Sequence, residues 1–144
     1  MLSKKEQITQ MVDALFANNP PAFDNAVITS IKDFIEIAIN GDTISKMHGI
    51  ILSDDDIQKN TYAIFVLTDI RLIKIEISSD KKSSEEFFLD SIKIEWMFNK
   101  HDDVKISSGT TFFIVKNIDA DDKAFFQAVG EARARHDGVS TNEQ

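Results

Sequence analysis

The run Tyr62-Ala63-Ile64-Phe65-Val66-Leu67-Thr68-Asp69-Ile70-Arg71-Leu72-Ile73 sets two apolar, β-favouring segments on either side of a short polar break. β-Branched and aromatic residues fit a pleated, part-buried surface, while Thr68 and Asp69 carry short side chains that bond nearby backbone amides and favour a turn. The stretch therefore predicts a β-hairpin. Arg71 is expected to pair with Asp69 or with a backbone carbonyl across the turn, a structural role and not a catalytic one.

Strand-like runs recur on both sides of this hairpin. From Thr43 onward the apolar period is close to two, predicting strands at 44–52, 61–67, 71–77, 86–89, 93–98, 103–107 and 110–117. The connections are too short for parallel crossovers, so the order is an antiparallel meander. Ile73, Ile75 and Ile77 alternate with Leu72, Lys74 and Glu76, and Ile94, Trp96 and Phe98 alternate with Lys93, Glu95 and Met97. Each of these strands is expected to have one core face and one wetter face. Ile64 and Val66 alternate with Phe65 and Leu67, and Phe112 and Ile114 with Phe113 and Val115, so both faces of these two strands call for cover, from the N-terminal helices or from another subunit.

Helices flank the strands. Ile8, Met11, Val12, Leu15 and Phe16 have the spacing of an amphipathic helix, which Asn18-Asn19-Pro20-Pro21 ends. A second helix places Phe23, Val27, Ile31, Phe34, Ile35 and Ala38 on one side and stops at Asn40-Gly41-Asp42. A third begins at Asp119 and Asp122, buries Phe125, Phe126, Val129 and Ala132, and has Arg133, Arg135 and His136 near its end, which suits the helix dipole. The expected organisation is an N-terminal helical extension at 1–42 packed on the same domain, a strand-rich domain at 43–136 and a polar tail at 137–144.

The Leu67-Thr68-Asp69-Ile70-Arg71-Leu72 hairpin, joined to this order of strands and a closing helix, resembles the bacterial pleckstrin-homology family over about Thr43 to His136. The resemblance implies an α+β, PH-like fold: a partly open antiparallel barrel of about seven strands with a C-terminal helix, here preceded by two N-terminal helices. Lipid-binding members of the family use basic residues around the first inter-strand loop to hold inositol phosphates. The corresponding loop here is Ser53-Asp54-Asp55-Asp56-Ile57-Gln58-Lys59-Asn60, with three consecutive acids. Bacterial members self-associate through their sheets, so the resemblance implies assembly as the functional expectation.

Composition narrows the chemistry. The 144 residues fit one domain with a substantial core, and the absence of cysteine excludes a disulfide framework, thiolate catalysis and thiolate-held metals. A net charge of −8 opposes binding to nucleic-acid phosphates and anionic lipid surfaces. Lys81 and Lys82 are an adjacent basic pair, but Asp80, Glu85 and Glu86 surround them, which reads as a solvated loop. The opening residues lack the apolar stretch of a signal peptide and no run reaches membrane-spanning length, so the expected compartment is the cytoplasm.

No catalytic, cofactor-binding or metal-binding residue is assigned from the sequence. Asp54, Asp55 and Asp56 read as a solvated loop; Asp119, Asp121 and Asp122 fail as an EF-hand because Ala124 stands at its sixth position and Gly130 at its twelfth. His48, His101 and His136 are too dispersed for a ligand motif. Ser107-Ser108-Gly109-Thr110-Thr111 lacks a nucleophile elbow and reads as a hairpin turn. Trp96, Phe98, Phe112 and Phe113 lack the basic interleaving of a base-stacking platform and are expected in the core. The functional expectation is a noncatalytic protein-interaction or self-assembly module with no cofactor, no phosphoinositide or nucleic-acid ligand, and itself or another protein as partner. The alternative is an acidic chaperone or inhibitor that binds a basic protein.

Overall fold

The computed structural model of the chain describes residues 2–18, 24–54, 59–77, 82–98 and 102–142. Among them it contains helices α1 (Lys4–Asn18) and α2 (Asn25–Ile39), strands β1 (Ile44–Asp54), β2 (Lys59–Thr68), β3 (Arg71–Ile77), β4 (Lys82–Phe88), β5 (Lys93–Phe98), β6 (Asp102–Ser108) and β7 (Thr111–Val115), and helix α3 (Ala120–Asn142). The strands form a four-stranded sheet in the order β1-β2-β3-β4 and a three-stranded sheet in the order β5-β6-β7. The two sheets are not closed into a barrel, and the whole fits the expected α+β, PH-like arrangement.

The chain divides into two compact units, one of residues 1–68 and 73–85 and the other of residues 69–72 and 86–144. The expected boundary at residue 42 thus falls inside the first unit. In that unit α1 starts with a reciprocal cap: the Glu6 amide donates to Ser3 Oγ at 3.1 Å, and the Ser3 amide donates to Glu6 Oε1 at 3.5 Å. Helix α2 starts where the Val27 amide donates to Asp24 Oδ1 at 2.9 Å and stops at Asn40, whose φ of 46° is left-handed. Both helices exist because their apolar stripes meet the sheet. Ile8, Val12 and Phe16 of α1, Ile31, Ile35 and Ile39 of α2, Tyr62, Ile64 and Val66 of β2, and Ile73, Ile75 and Ile77 of β3 form one buried cluster. The Phe16 ring meets Tyr62 edge-on at 5.7 Å between centroids.

The second unit holds the β5-β6-β7 meander and α3. Its buried side chains include Phe87, Ile92, Val104, Ile106, Phe113, Val115, Phe125, Phe126 and Val129. Asp119 and Asp122 form the capping pair expected of them: the Asp122 amide donates to Asp119 Oδ1 at 2.8 Å, and the Asp119 amide donates to Asp122 Oδ2 at 3.1 Å. Lys123 pairs with Asp102, and Arg133 Nε donates to the Ile92 carbonyl at 2.7 Å, which ties both halves of the helix to strand ends.

Three expectations are corrected. Helix α3 continues to Asn142, so residues 137–142 are helical and Arg133, Arg135 and His136 lie before its last turn. Arg133 is occupied as a donor to the Ile92 carbonyl, a tertiary tie and not a dipole partner. Strand β3 has no wet face over residues 71–75, because Leu72 and Lys74 are buried along with Ile73 and Ile75. Phe112 is not in the core but 55% exposed, and Trp96 is half-buried; the Phe98 side chain lies outside the described residues.

Candidate interaction surface

Strand β7 is the most apolar edge in the fold. Its sequence, Thr111-Phe112-Phe113-Ile114-Val115, alternates between Phe113 and Val115, which are buried, and Phe112 and Ile114, which are 55% and 40% exposed. The inward row is anchored, with the Phe113 and Phe87 rings edge-on at 5.2 Å. The outward row is the half of the expected two-sided cover that the fold leaves open. In β2, by contrast, both faces from Ala63 to Leu67 are buried.

The register places the neighbours of that outward row. Phe112 pairs with Ser107 and Ile114 with Lys105 on β6; Ser107, Lys105 and Asp103 pair in turn with Lys93, Glu95 and Met97 on β5. Side chains of directly paired residues share a face, so these eight form one outward surface. Lys105 Nζ lies 4.7 Å from the centre of the Phe112 ring, a cation–π contact that holds the lysine stem along the aromatic surface. The face carries Lys93 and Lys105 against Glu95 and Asp103, two charges of each sign, so it is locally neutral in a chain of net charge −8.

The four edge strands differ in how they are guarded. Edges present unpaired backbone groups, and charged side chains discourage another strand from adding to them. β1 carries Lys46, β4 carries Lys82, Glu85 and Glu86, and β5 carries Lys93 and Glu95. β7 has no charged residue.

Arg71 is 6% exposed and pairs with Glu86 at 2.7 Å, a partner that sequence distance concealed. Lys74, equally buried, has its ammonium 2.8 Å from Glu76 and 3.5 Å from Glu85. The two cations are buried while their carboxylate partners are exposed, at 42% for Glu86, 39% for Glu76 and 45% for Glu85, so each pair leaves its acid in water. Thr68 Oγ1 donates to Asp42 Oδ2 at 3.0 Å, joining the hairpin turn to the end of α2. Ser108 closes the β6–β7 turn beside Gly109, whose φ is 62°, and its hydroxyl lies 2.8 Å from that of Ser91. His48 and His136 are half-buried and belong to different units.

Lys82 is exposed, while Asp80, Lys81, Asp55, Asp56 and His101 and the side chain of Asp54 lie outside the described residues. Among the described residues no group of three or more His, Asp or Glu side chains is placed to hold a metal ion, and no helix is long and apolar enough to cross a membrane. Neither a protein-family model nor a curated protein matches the chain.

Proposed function

We propose that this chain is a noncatalytic protein-interaction module, related to the bacterial pleckstrin-homology domains, that works by self-assembly. The observation that carries the reading is the outward row of β7: two large apolar side chains held in water on an ordered strand, beside a charge-balanced face. Exposing them costs hydrophobic free energy that contact with a second apolar surface recovers. The two-sheet order with a closing helix supports the kinship. The acidic β1–β2 connection and the charge of −8 support a function without phosphoinositide or nucleic-acid ligands, carried out in the cytoplasm.

Local neutrality favours self-association over capture of a basic client. A basic protein gains most from a concentrated acidic surface, whereas Lys93 and Lys105 on this face oppose it. Solution mass by light scattering across a concentration series tests the reading. Mass that rises with concentration is expected; a monomer at every concentration overturns self-assembly. A basic client retained at low salt and lost at high salt would replace it with the inhibitor reading.

A further inference from the structure

We propose that Asn40 is a site of spontaneous deamidation and isomerisation, gated by the left-handed cap that ends α2. No other asparagine of the chain is followed by glycine. Asparagine amides are among the thermolabile groups of proteins, and a following glycine has no Cβ to obstruct the approach of its backbone nitrogen to the asparagine side chain. The reaction needs no partner and stands whether or not the chain assembles.

Both reacting groups are accessible. Asn40 and Gly41 are exposed, and nothing lies within 4 Å of a Cβ built at Gly41. The backbone amides on either side are engaged, that of Asn40 with the Ile37 carbonyl at 3.2 Å and that of Asp42 with the Ile39 carbonyl at 2.9 Å. Neither the Gly41 amide nor the Asn40 side chain takes part in a hydrogen bond among the described residues. Asn117 supplies the contrast. Its φ of 56° is also left-handed, but the next residue is the buried, β-branched Ile118, whose amide donates to the Asp102 carbonyl at 2.9 Å. One backbone conformation thus leaves the nucleophile free at Gly41 and holds it at Ile118.

The first step is intramolecular. The Gly41 nitrogen, deprotonated by hydroxide, attacks Asn40 Cγ; the new N–Cγ bond closes a succinimide ring and the side-chain nitrogen leaves as ammonia. Water then opens the ring. Cleavage between the Gly41 nitrogen and Cγ gives aspartate, and cleavage between that nitrogen and the Asn40 main-chain carbonyl carbon gives isoaspartate, whose backbone runs through Cβ and Cγ. Either product consumes one water, releases one ammonia and exchanges a neutral amide for a carboxylate.

Native geometry opposes ring closure. Asn40 sits at φ 46° and ψ 45°, which turns the Gly41 nitrogen away from Cγ, so the peptide between them must swing to the other side of the Cα–C bond. That swing undoes the cap. Asp42 resists it, because its Oδ2 accepts from Thr68 Oγ1 at 3.0 Å and its carbonyl accepts from Lys4 Nζ of α1. Reaction therefore proceeds through chains in which the end of α2 has opened locally, a fluctuation of low cost at a helix terminus. The product keeps the cap from closing as before. A carboxylate at position 40 adds negative charge at the negative end of the α2 dipole and beside Asp42, and isoaspartate lengthens the main chain next to the core residue Ile39.

The test incubates the whole chain in mildly alkaline buffer, folded and in urea, and follows it by isoelectric focusing and by peptide mapping that separates aspartate from isoaspartate. Acidic forms carrying both products at position 40, with isoaspartate in excess, are expected, and they should appear about tenfold or more slower in the folded chain than in urea. Thr68→Val removes the hydroxyl tie to Asp42 at similar volume, and should speed the folded-state reaction beyond what its change in urea-melting midpoint accounts for while leaving the rate in urea unchanged. Asn40→Gly, which a left-handed cap accepts, should melt with the wild type and form no acidic product at this position. A folded chain that stays unmodified at Asn40 while the urea sample reacts overturns the site. Equal rates in the two conditions, or a Thr68→Val chain that reacts no faster than the wild type, overturn the gate.

Discussion

At the scale of single residues, Gly49 and Tyr62 are closely fitted. They are neighbours across the β1–β2 ladder, where Gly49 pairs with Ile64, and the Tyr62 phenol lies over the glycine. A Cβ built at Gly49 would stand 2.1 Å from the Tyr62 hydroxyl oxygen and 2.8 Å from the ring carbon that bears it. The glycine is therefore required by space. Gly49→Ala is expected to destabilise the fold by about 1 to 3 kcal/mol, the usual cost of overpacking. Adding Tyr62→Phe removes the closest clash and should recover part of that loss. A double-mutant cycle by urea melting checks this; additive effects would show that the two positions do not compete for the same volume.

Tyr62 also has a pH signature. Burial pushes its phenol above the ordinary value of 10.0, because desolvation disfavours the phenolate. The unfolded chain loses this proton first as pH rises, so the contribution of Tyr62 to stability is fully present below about pH 10 and is lost as pH climbs through the raised native value. Urea midpoints measured between about pH 9 and pH 11 should fall, and fall less in Tyr62→Phe. Equal losses in the two proteins would show that other groups carry the alkaline dependence.

At the scale of elements, α3 depends on its apolar stripe more than on its charges. Phe126 is fully buried and stands edge-on to Phe125 at 5.3 Å, so Phe126→Ala should cost about 3 to 5 kcal/mol. Asp119→Ala, which removes one side of the cap, should cost about 0.5 to 2 kcal/mol. Thermal melting of the two variants gives the order; a cap variant as damaged as the core variant would mean that the helix is held by its N-terminus. The buried stripe and the cap were both legible in the sequence, because each follows from spacing within one turn or two. So was the existence of every strand, with β3 and β5 matching their expected bounds. Long-range facts were not. Burial of Lys74 and Leu72 depends on what lies over β3, and the pairing of Arg71 with Glu86 joins residues fifteen positions apart through strand pairing, which periodicity does not encode. The end of α3 was misread for a related reason: the polar residues after His136 offered no stop stronger than Gly138, and a glycine within a helical run weakens it without ending it. The outward row of β7 was legible only as a two-sided apolar strand. Deciding which side stays open required the register.

At the scale of the whole molecule, the charge of −8 sets how the protein meets its surroundings. Asp54 ends β1 and Asp55 and Asp56 follow it in sequence, so three acids stand where phosphate recognition needs cations, and the mean field adds repulsion from an anionic bilayer. Co-sedimentation with phosphoinositide vesicles at physiological salt should leave the protein in the supernatant; saturable binding lost on neutralising Lys81 and Lys82 together would overturn this. The same charge makes a distinctive statement about assembly. Two acidic chains repel over distances comparable to the Debye length, whereas the contact proposed at β7 is apolar and locally neutral. Added salt screens the repulsion and leaves the contact intact. Raising ionic strength from about 0.02 M to 0.5 M should therefore strengthen dimerisation, the opposite of what an acidic inhibitor shows with a basic client. Sedimentation equilibrium at both ionic strengths decides the matter, and dimers that dissociate as salt rises would place the contact on an ion-paired surface instead of on Phe112 and Ile114.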